Sequence, residues 1–173
     1  LPLTPTGYGD SPYQSCSAYA GNHYLIDLDL LVEEGLLEKA QLDAICWGVR
    51  EDKTDFGMLY NNRLKVLSMA YERFEGSDDF DSFCAGAADW LPDFALFMAI
   101  KEQKNGAPWY QWEDSLKRRE PEAIWQARQS LKDRVRFYSF VQYLFFKQWN
   151  ALQAYAHKNE IRIIGDVPIY VPY

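Results

Sequence analysis

Two stretches of this sequence carry side chains that could hold a ligand or do chemistry. The first is the string GYGDSPYQ, residues 7–14. Gly7 and Gly9 permit backbone conformations and a close approach that a side chain would block. Pro12 stiffens the turn beside Tyr13. Tyr8 and Tyr13 each present an apolar face with a hydroxyl at its edge, a match for a pyranose ring with one apolar face and a polar rim. Asp10, Ser11 and Gln14 add hydrogen-bonding groups. The second stretch is Gly165-Asp166-Val167-Pro168, which follows the apolar run of residues 161–164. In a (β/α)8 barrel, a carboxylate at the C-terminal end of a strand faces the active site, and Pro168 marks the end of regular pairing. Read from the residues alone, each stretch also has a plainer meaning. The loop is an ordered surface turn, and Asp166 is a carboxylate satisfied by loop amides or a nearby Arg.

Other chemistries find less support. The sequence has no Walker A lysine and no GxGxxG string, so nothing cradles a phosphate. A serine nucleophile needs a histidine partner, and neither His23 nor His157 stands in a recognisable setting. Cys16, Cys46 and Cys84 are odd in number, widely spaced and without a CxxC, which argues against a disulfide framework or zinc site and for a reducing cytoplasm. No metal or other cofactor is implied. A net charge of -7 and the lack of a dense basic cluster argue against nucleic acid. Lys117, Arg118 and Arg119 read as a solvated helix end. No apolar run approaches the ~20 residues that span a bilayer, so no membrane partner is expected. The opening LPLTPTG lacks the features of a secretion signal. It also lacks an initiator Met, as a mature or excised chain would.

Positioning these residues requires a frame, and the frame reads as mostly helical. LPL is an apolar strand end that enters a Thr/Pro/Gly/Asp/Ser-rich loop reaching Ser17. Asp27 or Asp29 is placed to cap a helix through Leu30, Leu31 and Val32 that stops at Gly35. A second short helix follows over residues 36–45, and a third over residues 58–74. Residues 77–88 make a fourth. Asp89 is the expected N-cap of the next, which has Pro92 in its first turn and ends at Gly106. APWYQW, residues 107–112, is an aromatic loop, and Pro121 suits another first turn. From Val135 to Tyr155 the apolar face is nearly continuous, with Phe137, Phe140, Val141, Leu144, Phe145, Trp149, Leu152 and Tyr155 facing a core. Residues 161–164 read as a parallel strand buried on both faces. The six Trp and twelve Tyr belong mainly to that aromatic core.

Over essentially its whole length the sequence resembles the bacterial 4-α-glucanotransferases, or amylomaltases. The resemblance rests on LPLTPTGYGDSPYQS, YAGNHYLIDLDLL, WLPDFALFMAIKE, FVQYLFFKQW and IRIIGDVPIYV. Thr4 stands where Gly is more usual and Cys16 where an aromatic is usual. The resemblance implies an α/β fold, a partial (β/α)8 barrel of α-amylase-related type with a large helical insertion. Residues 1–17 would end one barrel strand and form the substrate loop. Residues 18–134 would be the inserted helical subdomain, and residues 135–173 the crossover helix and next strand. The implied reaction cleaves α-1,4-glucan and passes the glucanosyl unit to the 4-hydroxyl of glucose or a maltooligosaccharide. It proceeds by a retaining double displacement whose carboxylates lie beyond Tyr173. By matching position, Tyr13 resembles the residue that stacks on the sugar at the cleavage point, and Tyr8 is a further glucan contact. Asp166 resembles an active-site aspartate that binds or supports rather than moves a proton. A noncatalytic helical glucan-binding module is the alternative, and a scaffold with purely structural aromatics is a third reading.

Overall fold

Short polar side chains begin the helices by accepting bonds from amides that the first turn leaves unpaired. The Asp27 carboxylate accepts from the N–H groups of Asp29 and Leu30, starting α1 (Leu28–Glu33). The Gln41 side chain accepts from the Glu38 N–H at 2.9 Å, at the start of α2 (Lys39–Asp43). Asp55 serves α3 (Phe56–Glu72), and Ser77 serves α4 (Asp78–Gly86). The computed structural model describes residues 2–6, 8–50 and 52–170, the side chain of Tyr8 excepted.

Two expected punctuation marks behave differently. Gly35 has φ 75°, and the Leu36 N–H closes onto the Leu31 carbonyl at 2.9 Å, so α1 ends where a left-handed residue was expected. Asp89, however, does not cap α5 (Leu91–Gln103); Trp90 occupies that place without a side-chain bond. The reason is local. The Ala87 carbonyl already accepts from Trp90 N–H at 3.2 Å and Leu91 N–H at 2.9 Å, and Pro92 removes one further donor. The remaining helices are α6 (Asp114–Lys117), α7 (Pro121–Ser130) and the long α8 (Lys132–Lys158).

The core forms around the first half of α8. Phe137 and Phe140 are fully buried there, with Tyr138, Val141, Tyr143, Leu144 and Phe145 beside them. Helix α5 brings the small Ala95 and Ala99 to the same cluster, and α3 brings Val66, Leu67 and Ala70. Burial at this density stabilises each large side chain by ~1.5–3 kcal/mol relative to water. Arg134 locks α8 to α5 through two bonds to Glu102, at 2.8 and 2.9 Å. A satellite cluster of Leu96, Ile100 and Trp112 packs α7 onto α5. Among the described residues no single helix is long and apolar enough to cross a membrane.

The second half of α8 departs from expectation, because Leu152 and Tyr155 are exposed. At ~1.5 Å per residue, α8 runs about 40 Å and α5 about 20 Å. The later turns therefore outrun the helices that cover the earlier ones.

The expected partial (β/α)8 barrel is not what this chain forms. The described residues are almost entirely helical and contain no sheet. Residues 161–164 are extended but are not a strand, and their apolar side chains lie open to solvent, with Ile164 92% exposed. Apolar, β-favouring composition does not make a strand; a strand needs a ladder partner and cover on its faces. Residues 2–6 supply neither, and the Leu3 carbonyl is taken by the Asn22 N–H at 2.8 Å. Among the described residues, the backbones of the two ends of the chain meet at an isolated parallel bridge between Gln14 and Tyr170.

Candidate functional site

The candidate loop contains a tight turn over Tyr8–Asp10 in which Gly9 (φ 64°) and Asp10 (φ 56°) are both left-handed. Asp tolerates this region better than most residues. The charge of Asp10 acts on Tyr24, whose phenol is pushed above its ordinary value by burial first and by Asp10 next. Ser11 and Pro12 carry the chain over to Tyr13, with the Gln14 N–H closing weakly on the Ser11 carbonyl at 3.4 Å.

Tyr13 then meets Asp166 from 153 residues away. Its hydroxyl donates to Asp166 Oδ2 at 3.0 Å, and its carbonyl accepts from the Tyr170 N–H at 3.1 Å. The other Asp166 oxygen, Oδ1, accepts from the Val167 N–H at 2.9 Å. The electrostatics follow from these bonds. The Tyr13 hydrogen bond, followed by the Val167 amide, holds the Asp166 carboxyl below the usual carboxylate range. In return, the bond to Asp166 and its negative charge raise the Tyr13 phenol. Tyr13 is 37% exposed, so its ring is anchored at the hydroxyl end while the residue stays partly open to solvent.

The loop is held by two amide clamps from α8. Gln142 accepts from the Gly21 N–H at 2.7 Å and donates to the Gly21 carbonyl at 3.0 Å, in a buried setting. Six residues on, Gln148 repeats this at Asp27, with 2.7 and 3.0 Å. Each clamp satisfies both polar groups of one residue that regular structure does not serve. A Cβ on Gly21 would fall 1.9 Å from Phe145 Cδ1, so only glycine fits against α8 there. Before the clamps, Ser17 Oγ accepts from the N–H groups of Tyr19 and Ala20. After the first clamp, Arg63 on α3 donates to the Tyr24 carbonyl at 2.7 Å. His23 beside it is pushed down to about 4 by burial, with the Arg63 charge adding to the effect.

The structure thus brings Tyr13 to Asp166, and Gln14 to the backbone of Tyr170. Asp10 is sent to a second face beside Tyr24, and Ser11 and Pro12 link the two. Gly7 and the Tyr8 side chain lie outside the described residues. The reading by residue type missed Tyr24 and the Gln142 and Gln148 clamps, because no local spacing marks them. It also missed a cavity of about 600 Å³ that is lined by Asp27, Asp29, Lys39, Asp43, Trp47 and Arg63 among others and by none of the expected site residues. Among the described residues no cluster of three His, Cys, Asp or Glu side chains could hold a metal ion.

Comparison with known proteins agrees with the string-by-string likeness. The family model described as 4-alpha-glucanotransferase matches residues 1–173. A 4-alpha-glucanotransferase of Clostridium butyricum is 44% identical over 99% of this chain and 36% of its own length. One from Thermus thermophilus is 45% identical over 99% of this chain and 34% of its own. The chain therefore spans about a third of the length of such relatives. Among solved structures, an amylomaltase from Streptococcus agalactiae in complex with acarbose superimposes with a TM-score of 0.92 at 42% identity, over 99% of this chain and 35% of that one. With the match running from the first residue to the last, and with the helical body reproduced in a solved relative, the chain belongs to the 4-alpha-glucanotransferase family.

Proposed function

We propose that this chain is the glucan-holding part of an enzyme that cleaves α-1,4-glucan and transfers the glucanosyl unit to the 4-hydroxyl of glucose or a maltooligosaccharide. The observation that carries the reading is the Tyr13–Asp166 hydrogen bond, which joins the aromatic loop to the chain's other extended end. A tyrosine fixed at its hydroxyl and partly exposed is suited to stack on a pyranose ring. The Streptococcus agalactiae relative held with acarbose supports a ligand of that class. Residues 1–17 supply the contacts, Tyr8, Asp10, Ser11, Pro12, Tyr13 and Gln14 among them. Residues 18–134 are the helical subdomain that carries the loop. The final stretch, residues 135–173, delivers Asp166.

The chemistry itself belongs to other residues. A retaining transfer needs a nucleophilic carboxylate and an acid/base carboxyl about 5–5.5 Å apart, the acid with a raised pKa. Asp166 is shifted the opposite way, which suits a fixed hydrogen-bond acceptor and not a proton donor. The catalytic carboxylates lie outside this chain, so the chain alone does not disproportionate maltotriose. Three free thiols, Cys16, Cys46 and Cys84, suit a cytoplasmic location. The test is Tyr13→Ala in the enzyme that contains this chain. Use of maltooligosaccharides should weaken while the fold is kept; unchanged transfer kinetics with normal expression would refute the stacking role.

A further inference from the structure

We propose that Trp109 and Tyr110 form a second glucan-docking platform, separate from the Tyr13 loop. The proposal rests on the reading that this protein handles α-glucan. Both rings stand in solvent, 47% and 50% exposed, on consecutive residues of a short helical turn (Trp109–Gln111). Their exposure is not a failure to find a core, because the third aromatic of the same loop does the packing. Trp112 is buried, lies 5.3 Å from the Phe97 ring, and donates from Nε1 to the Ala107 carbonyl at 3.0 Å.

The turn is also stiff. Pro108 precedes it, the Gln111 N–H closes on the Pro108 carbonyl at 2.9 Å, and the Trp112 N–H closes on Trp109 at 3.1 Å. An ion pair between Lys104 and Glu113 joins the two sides of the loop's base. Rings held in advance lose little freedom on binding. Their centroids lie 6.3 Å apart with the planes at 79°. The rings meet edge to face, so their remaining open faces point in different directions, which a curved α-1,4-glucan can follow more readily than a flat ligand. Exposed Gln111 and Glu113 supply partners for sugar hydroxyls.

Other occupants fit less well. Two aromatic side chains cover at most a few hundred Å², well short of the ~800 Å² that each partner gives to a stable protein interface. A net charge of -7 disfavours phosphate polymers.

Native electrophoresis of the chain, with and without amylopectin in the gel, tests the proposal. The wild-type chain should be slowed by amylopectin. The W109A/Y110A variant should bind roughly tenfold more weakly, the scale for truncating aromatic anchors, with its melting curve kept. Tyr13→Ala should still be slowed. Undiminished retardation of W109A/Y110A, or none for wild type, overturns the platform. Retardation lost only in Tyr13→Ala overturns it while leaving the loop reading intact. If the double variant unfolds, Trp109→Ala alone, read by maltoheptaose titration, decides by the same criterion.

Discussion

The helical body and the two extended ends of this chain are built on opposite terms. In the body, Phe137, Phe140, Leu67 and Ala95 leave almost no surface to water, and α8 is covered from several sides. Among the described residues, the ends, 2–6, 8–22 and 159–170, are joined by a backbone bridge and a tyrosine–carboxylate bond. Yet the ends carry the proposed site, and the body carries the stability. The amide clamps of Gln142 and Gln148 are the hinge between them, because they tie the loop's backbone to the best-packed helix. A binding surface of this kind gains its order from the scaffold behind it and leaves its ligand-facing side chains free.

That division can be broken deliberately. Phe140→Ala should cost the most, about 3–5 kcal/mol in chemical denaturation, because it opens a cavity in the fully buried cluster. Gln142→Leu comes next, at about 2–4 kcal/mol, because it strands both polar groups of buried Gly21. It should also loosen residues 11–22, seen as faster amide exchange there than in α5. An equal loss of protection in both regions would contradict the idea of a hinge.

Acid should act through His23. Its imidazole falls from the ordinary value near 6.5 to about 4 in the fold. The stability it contributes is therefore fully present above 6.5 and is lost as pH falls through about 4. His23→Gln should flatten that part of the stability curve. The smallest effect is expected at the ends. Asp166→Asn should leave the melting temperature unchanged but return the Tyr13 phenol towards its ordinary value of 10.0, followed by ultraviolet titration. With both groups intact, the Tyr13–Asp166 bond persists across neutral pH. It is lost when acid protonates Asp166 or when base ionises Tyr13.

Legibility in the sequence followed the range of the interactions. The helix start at Ser77 and the stop at Gly35 depend on neighbours within a turn and could be read directly, while the first helix start was narrowed to Asp27 or Asp29, of which the fold uses Asp27. Asp89 misled because the Ala87 carbonyl had already served the amides it was to cap. Phe137 to Phe145 were legible as core, but Leu152 and Tyr155 on the same helix were not, since cover depends on how far α5 extends. The run IRII has the composition of a buried strand, but strand pairing is a property of neighbours absent from the string. The site shows the same limit. Tyr13 and Asp166 could each be nominated by type and position, whereas their meeting across 153 residues could not be foreseen.

The most direct test of the account is a titration of the chain with acarbose, followed by the resonances of the Tyr13 ring and the Asp166 carboxyl. The account predicts that both shift together, saturably, and that neither Gln142 nor the Phe140 cluster moves with them. Saturable binding that leaves Tyr13 and Asp166 unmoved, or no binding at all, would contradict it.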